Sequence, residues 1–97
     1  MRTVRLHPAA DDELIAATAW YVDRSATAAA AFVREVEHAI ARIIAGPERY
    51  PLTLRGRRRF VLLNYPYDVV YRFSDTEIEV VAIAHHARKP GYWRHRA

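Results

Sequence analysis

Residues 58–86 read RRFVLLNYPYDVVYRFSDTEIEVVAIAHH, and the alternation within this stretch decides the fold. Phe60 and Leu62, joined by Arg58, fall on one face of a strand, with Arg59, Val61 and Leu63 on the other. Asn64-Tyr65-Pro66 turns the chain, and Tyr67, Val69, Tyr71 and Phe73 then alternate with Asp68, Val70 and Arg72. Ser74-Asp75 is a second tight turn, into residues 76–84. There Ile78, Val80, Ala82 and Ala84 are expected on one face, with Val81 and Ile83 on the other. The pattern predicts three consecutive strands in an antiparallel meander.

Upstream the period changes from two to three or four. Ser25 or Thr27 supplies an N-cap, Ala28 to Ala31 favour helix, and Phe32, Val36, Ile40 and Ile43 mark a buried stripe that Gly46-Pro47 ends. An earlier helix is expected from Pro8, with Asp11, Asp12 and Glu13 at its positive end and Leu14, Ala17 or Thr18, Tyr21 and Val22 along one side. So few residues separate the two helices that they must form an antiparallel hairpin. Thr3-Val4-Arg5-Leu6-His7 reads as a first strand, most simply added to one edge of the meander. The expectation is an α+β fold in the order β-α-α-β-β-β, an antiparallel twisted sheet with the hairpin on one face and the other face partly open.

The 97 residues make one domain, 1–97, because a second core would not fit. The absence of cysteine excludes disulfides, thiolate metal sites and a cysteine nucleophile. Asp11, Asp12 and Glu13 interrupt the first apolar stretch, and no run approaches the ~20 apolar residues of a membrane span. A cytoplasmic protein without a membrane partner is expected.

Charge is distributed unevenly. Residues 1–48 hold five arginines against seven acids, net −2, whereas residues 49–97 hold ten basic residues against four acids, net +6. Arginine's planar fork suits phosphate and carboxylate, so a basic C-terminal half points to nucleic acid, a phosphate-rich complex or an acidic protein. An arginine-rich codon bias is the alternative source of the excess.

The chemistry-bearing residues gather after the last strand, in His85-His86-Ala87-Arg88-Lys89-Pro90-Gly91-Tyr92-Trp93-Arg94-His95-Arg96. Cations interleaved with aromatics suit phosphate contact and stacking, or an arginine-and-aromatic hot spot on a protein. The competing reading folds Tyr92 and Trp93 back as a hydrophobic plug and leaves the arginines solvated. Adjacent strand histidines point to opposite faces, so His85 and His86 cannot share a metal ion, and neither a metal nor another cofactor is expected. Arg55, Arg57, Arg58 and Arg59 form a second cationic cluster beside the first meander strand. No phosphate-cradling glycine loop and no nucleophile elbow is present.

Several segments taken together carry a family likeness: His7-Pro8-Ala9, Gly46-Pro47-Glu48-Arg49-Tyr50-Pro51, Tyr65 to Arg72, and Ile83-Ala84-His85-His86-Ala87-Arg88-Lys89-Pro90-Gly91-Tyr92-Trp93. The chain resembles the RelE/ParE superfamily of bacterial type II toxin-antitoxin toxins, and its His-x-x-Arg-x-Pro ending is closer to the ParE-like branch. The resemblance implies a growth-arresting toxin of the plasmid-stabilization kind, held in a hetero-oligomer by a cognate antitoxin. For ParE-like members it implies DNA gyrase as target; for RelE-like members it implies metal-free cleavage of mRNA on the ribosome.

Two sets of roles follow as expectations. A nuclease would use His86, Arg88 and Tyr92, but the lysines of the RelE surface are missing, and arginine is a poor proton acceptor. A binding inhibitor, not an enzyme, would meet its target through Arg57, Arg58, Arg59, Arg88, Lys89, Tyr92, Trp93 and Arg94. The antitoxin is expected across the groove between hairpin and sheet, anchored near Tyr21, Phe32, Tyr71 and Phe73, unless these are pure core. A non-toxic interaction module is the third reading.

Overall fold

A computed structural model describes residues 2–97. Its elements are β1 (Thr3–Leu6), α1 (Pro8–Val22), α2 (Ala26–Ala45), β2 (Arg58–Val61), β3 (Tyr67–Phe73) and β4 (Glu77–His85), with two short 3-10 turns between α2 and β2. Both helices start where a side chain satisfies an orphan backbone donor. Ser25 accepts from the Ala28 N–H at 3.1 Å, and His7 Nδ1 accepts from the Ala9 N–H at 3.0 Å, a cap that composition alone does not signal.

The strand order is β1-β4-β3-β2. The meander is antiparallel as expected, but β1 runs parallel to β4, so the sheet is mixed. The helical hairpin returns the chain to the end of the sheet from which β1 departs. Three alternating strands then finish with β4 pointing as β1 does, and a helical connection is what permits parallel neighbours.

Simple alternation fails at one point in β4. The register shifts between Val70 and Tyr71, whose partners are Ala82 and Val80, leaving Val81 as an extra residue. Ile78, Val80 and Ile83 therefore face the helices with Val69 and Tyr71, while Val81, Ala82 and Ala84 join Val70 on the opposite face. The bulge overturns the single-face assignment of Ile78, Val80, Ala82 and Ala84.

The main core lies between sheet and hairpin, with Phe32, Val36, Ala39 and Ile43 of α2 against Val69, Tyr71, Ile78 and Val80. Phe32 and Tyr71 are both fully buried, and the Tyr71 hydroxyl donates to the Pro47 carbonyl at 2.5 Å. Burial pushes that phenol up to about 12. Helix α1 contributes only Ala10 and Ala17 as fully buried residues, and its Ile15, Trp20 and Val22 are exposed. Val22 thus leaves the buried stripe to which its spacing assigned it.

Candidate functional site

The second face of the sheet is covered by the C-terminal tail. Trp93 is 4% exposed and packs on Val70, Val81, Ala82 and Ala84, with Tyr92 beside it. The alanines of β4 create this seat, because small residues on a sheet face leave room for an indole. Polar contacts fasten both sides of the tail: Arg57 donates to the Arg96 carbonyl at 3.3 Å, and Arg72 to the Ala97 carbonyl at 2.9 Å. Arg72 also holds the buried Glu79, shared with Arg5 at 2.8 Å.

Glu13 of α1 is the third fastening. Beyond Leu6 the chain turns into α1, so β4 loses its parallel neighbour, and Glu13 Oε1 accepts the Ile83 N–H at 3.0 Å in place of a strand. Arg96 donates to both Glu13 oxygens at 2.8 and 2.9 Å and to the Val81 carbonyl at 3.0 Å. The Tyr92 hydroxyl donates to Glu13 Oε2 at 2.5 Å. Burial alone would raise the Glu13 carboxyl, but the hydrogen bonds from Arg96, Tyr92 and Ile83 outweigh it and hold the group below its usual range. Burial, followed by the bond to Glu13, pushes the Tyr92 phenol well above its ordinary value. Tyr92 is a fixed neutral donor.

Two cavities flank this tail, with the Tyr92 ring and the Arg88 guanidinium, stacked 3.8 Å from the ring centroid, contributing to both. The first, about 370 Å³, opens on the tail side where β4 ends and is lined by Thr53, Arg59, Asp68, His86, Arg88 and Lys89 over Val61, Val70 and Trp93. His86 Nε2 lies 2.8 Å from Asp68 Oδ1, and Arg59 stands 3.9 Å from Asp68 Oδ2. The second, about 420 Å³, lies between α1 and the end of β4, with Ala16, Trp20, Tyr21, Tyr67 and Ile83 among its walls.

The expected residues sort by this geometry. Arg59, His86, Arg88 and Lys89 converge on the first cavity. Arg57 is drawn to the tail, and Arg58 points to the opposite side, donating to the Glu48 and Tyr50 carbonyls at 3.2 and 2.8 Å. Alternation separates consecutive arginines, so the sequence cluster is not a spatial one. Arg94 bonds within its own turn, to the Gly91 carbonyl. Trp93 is corrected outright: a side chain this buried forms core, not contact surface. Phe32 and Tyr71 are corrected likewise, since no partner reaches a fully buried ring; Tyr21 and Phe73 keep some exposure, and only Tyr21 lines the second cavity.

His86, Arg88 and Tyr92, the expected nuclease set, all line the first cavity, but their polar atoms turn to different partners. His86 is oriented by Asp68 within the first cavity, whereas the Tyr92 hydroxyl is committed to Glu13. Sequence reasoning missed Glu13, Asp68 and Arg96. Glu13 reads as an ordinary first-turn acid, and its partners lie 70 to 83 residues away. A lone acid in an otherwise basic and apolar neighbourhood was the available signal for Asp68.

The family described as ParE toxin of type II toxin-antitoxin system, parDE, matches residues 4–90. The chain belongs to this ParE toxin family. The match ends at Pro90, so the residues of the tail that reach Glu13 lie beyond it. Among solved structures, the chromosomal ParDE TA system from P. aeruginosa is similar, with a TM-score of 0.75 and 19% sequence identity over 88% of this chain and 96% of that one. At that identity the likeness speaks for the fold. No curated protein matches the sequence.

Proposed function

We propose that the protein arrests growth by binding and inhibiting DNA gyrase, and that a cognate antitoxin neutralises it in a hetero-oligomer in the cytoplasm. Membership of the ParE family supplies the toxin-antitoxin setting. The observation that carries the binding-inhibitor reading is the Tyr92 phenol, which Glu13 holds as a neutral donor. Metal-free RNA scission needs a group that accepts the 2′-OH proton and a second that protonates the leaving oxygen. Tyr92 is committed elsewhere, and arginine does neither. The remaining cations suit recognition of an acidic surface. No described helix is long and apolar enough to cross a membrane.

Purified protein added to a supercoiling assay is expected to inhibit gyrase or to trap cleaved DNA at micromolar concentration, and antitoxin should reverse the effect. Full gyrase activity across a wide titration would reject the reading.

The Asp68–His86 pair favours a second reading, ribosome-dependent mRNA cleavage, because a carboxylate that orients an imidazole is the supporting half of an acid–base device. Primer extension after induction distinguishes the two. Codon-positioned cuts that vanish in His86→Ala would establish cleavage, and intact transcripts in arrested cells would exclude it.

For the antitoxin we propose the exposed side of α1 and the adjoining cavity rather than the filled groove between hairpin and sheet. Ile15, Trp20 and Val22 are 60%, 51% and 55% exposed, and Trp20 runs into a concave wall formed by Tyr21, Tyr67 and Ile83. Apolar area of this kind on a toxin that is stored as a complex suits an amphipathic antitoxin segment.

A further inference from the structure

We propose that the cavity at the end of β4 is a phosphate site, built to hold the backbone of a nucleic acid strand rather than to read its bases. The ten basic side chains of residues 49–97 divide in their hydrogen bonding. Arg57, Arg58, Arg72, Arg94 and Arg96 each donate to a carbonyl or carboxylate of the fold itself. The side chains of Arg49, Arg55, Arg59, Arg88 and Lys89 donate no hydrogen bond among the described residues, and the last three of these line one cavity. Arg59 is 3.9 Å from Asp68 and Arg88 is 3.9 Å from Glu13, separations too long for a hydrogen bond. Their guanidinium donors are unspent.

Asp68 is the one acid lining the cavity, and its nearer contact is with His86 at 2.8 Å. Three cations against one carboxylate leave the cavity strongly positive. Its apolar floor of Val61, Val70 and Trp93 concentrates that field, because low-dielectric walls focus charge into a cleft. Thr53 adds a hydroxyl at the rim. The space admits a phosphate with its sugar, while its two largest aromatic rings are taken up: Trp93 is buried and the Tyr92 ring is covered by Arg88. Sequence-independent, salt-sensitive binding follows from that chemistry.

The inference is independent of gyrase inhibition, since a toxin that blocks gyrase without binding an oligonucleotide would keep that reading and sink this one. The test is fluorescence anisotropy of labelled single-stranded DNA and RNA of one sequence, across a salt series, with the wild type, Arg59→Ala/Lys89→Ala, and the control Arg34→Ala/Arg42→Ala, which removes equal charge from α2. Loss of the two site cations should lower the slope of log affinity against log salt by about 1.4 on these single strands and weaken binding at least about tenfold, while the control changes affinity less than about twofold. Equal affinity for the two strands identifies a shared phosphate contact, and a preference identifies which strand the toxin meets. Wild type without measurable binding, or a control that loses as much as the site variant, overturns the proposal. Titration with inorganic phosphate followed by amide NMR is the second measurement: shifts should centre on residues 86–91, and shifts spread evenly over the basic half would also overturn it.

Discussion

Glu13, in the first turns of α1, and Arg96, the last residue but one, form a two-pronged ion pair at 2.8 and 2.9 Å across almost the whole length of the chain. Because the same carboxylate also takes the Ile83 N–H, the pair joins helix, sheet edge and tail at one point. Glu13→Ala leaves a strand amide, a phenol and a guanidinium without their acceptor. The expected loss is about 2–3 kcal/mol, with the Ile83 amide among the first in β4 to exchange with deuterium. Unchanged exchange at Ile83 would contradict the joint.

The same carboxylate makes the tail acid-sensitive. Its folded pKa is depressed, so its contribution is complete above the ordinary value of 4.5 and declines as the pH falls through the lowered one. Wild type should therefore lose stability on acidification below the ordinary carboxylate range more steeply than Glu13→Gln, which cannot titrate. Parallel pH–stability curves for the two proteins would show that Glu13 is not the group responsible.

Trp93 and Trp20 report on the two faces of the molecule. Trp93 is 4% exposed and Trp20 is 51% exposed with Arg24 stacked 3.4 Å from its ring. Trp20→Phe should leave a blue-shifted emission that acrylamide quenches poorly, and Trp93→Phe should leave a red-shifted, readily quenched one. Trp93→Ala empties the seat on the β4 alanines and should cost about 3–5 kcal/mol.

Gly91 opens the turn that delivers Tyr92 and Trp93 to the sheet. Its φ is +73°, and an added Cβ would lie 2.5 Å from Leu54 Cδ1, whereas Gly56 has φ +71° and open space around it. Gly56→Ala should cost about 1–2 kcal/mol for the left-handed backbone alone. Gly91→Ala should cost more, and the excess should disappear in the Leu54→Ala background, as measured by urea unfolding. An excess that persists there would mean that Leu54 is not the obstacle.

The antitoxin surface separates from the core by the kind of damage a substitution causes. Ile15→Glu and Trp20→Glu should abolish co-purification with antitoxin while the melting transition is kept. Phe32→Ala should instead lower stability by about 3–5 kcal/mol, since the ring is wholly enclosed. Undiminished co-purification of both glutamate variants would place the antitoxin elsewhere.

The sequence by itself determined the element order, the hairpin and the family likeness, because each rests on local signals: the period of the apolar residues, the Ser25 cap, the Gly46-Pro47 stop, and the turn residues at 64–66 and 74–75. Only the tertiary structure decided which face a residue joins beyond the bulge at Val81, since one extra residue reverses every later parity. It also decided which cations remain free. Arg57, Arg58 and Arg59 are equivalent in sequence, but alternation turns Arg58 away to the Tyr50 carbonyl, and on the side that Arg57 and Arg59 share the tail's Arg96 carbonyl engages Arg57 while Arg59 opens into a cavity. The tail's fate depended on Glu13 and on the small residues of β4, partners too distant in the chain for any local pattern to register, and packing against them turned Trp93 from an expected contact into part of the core.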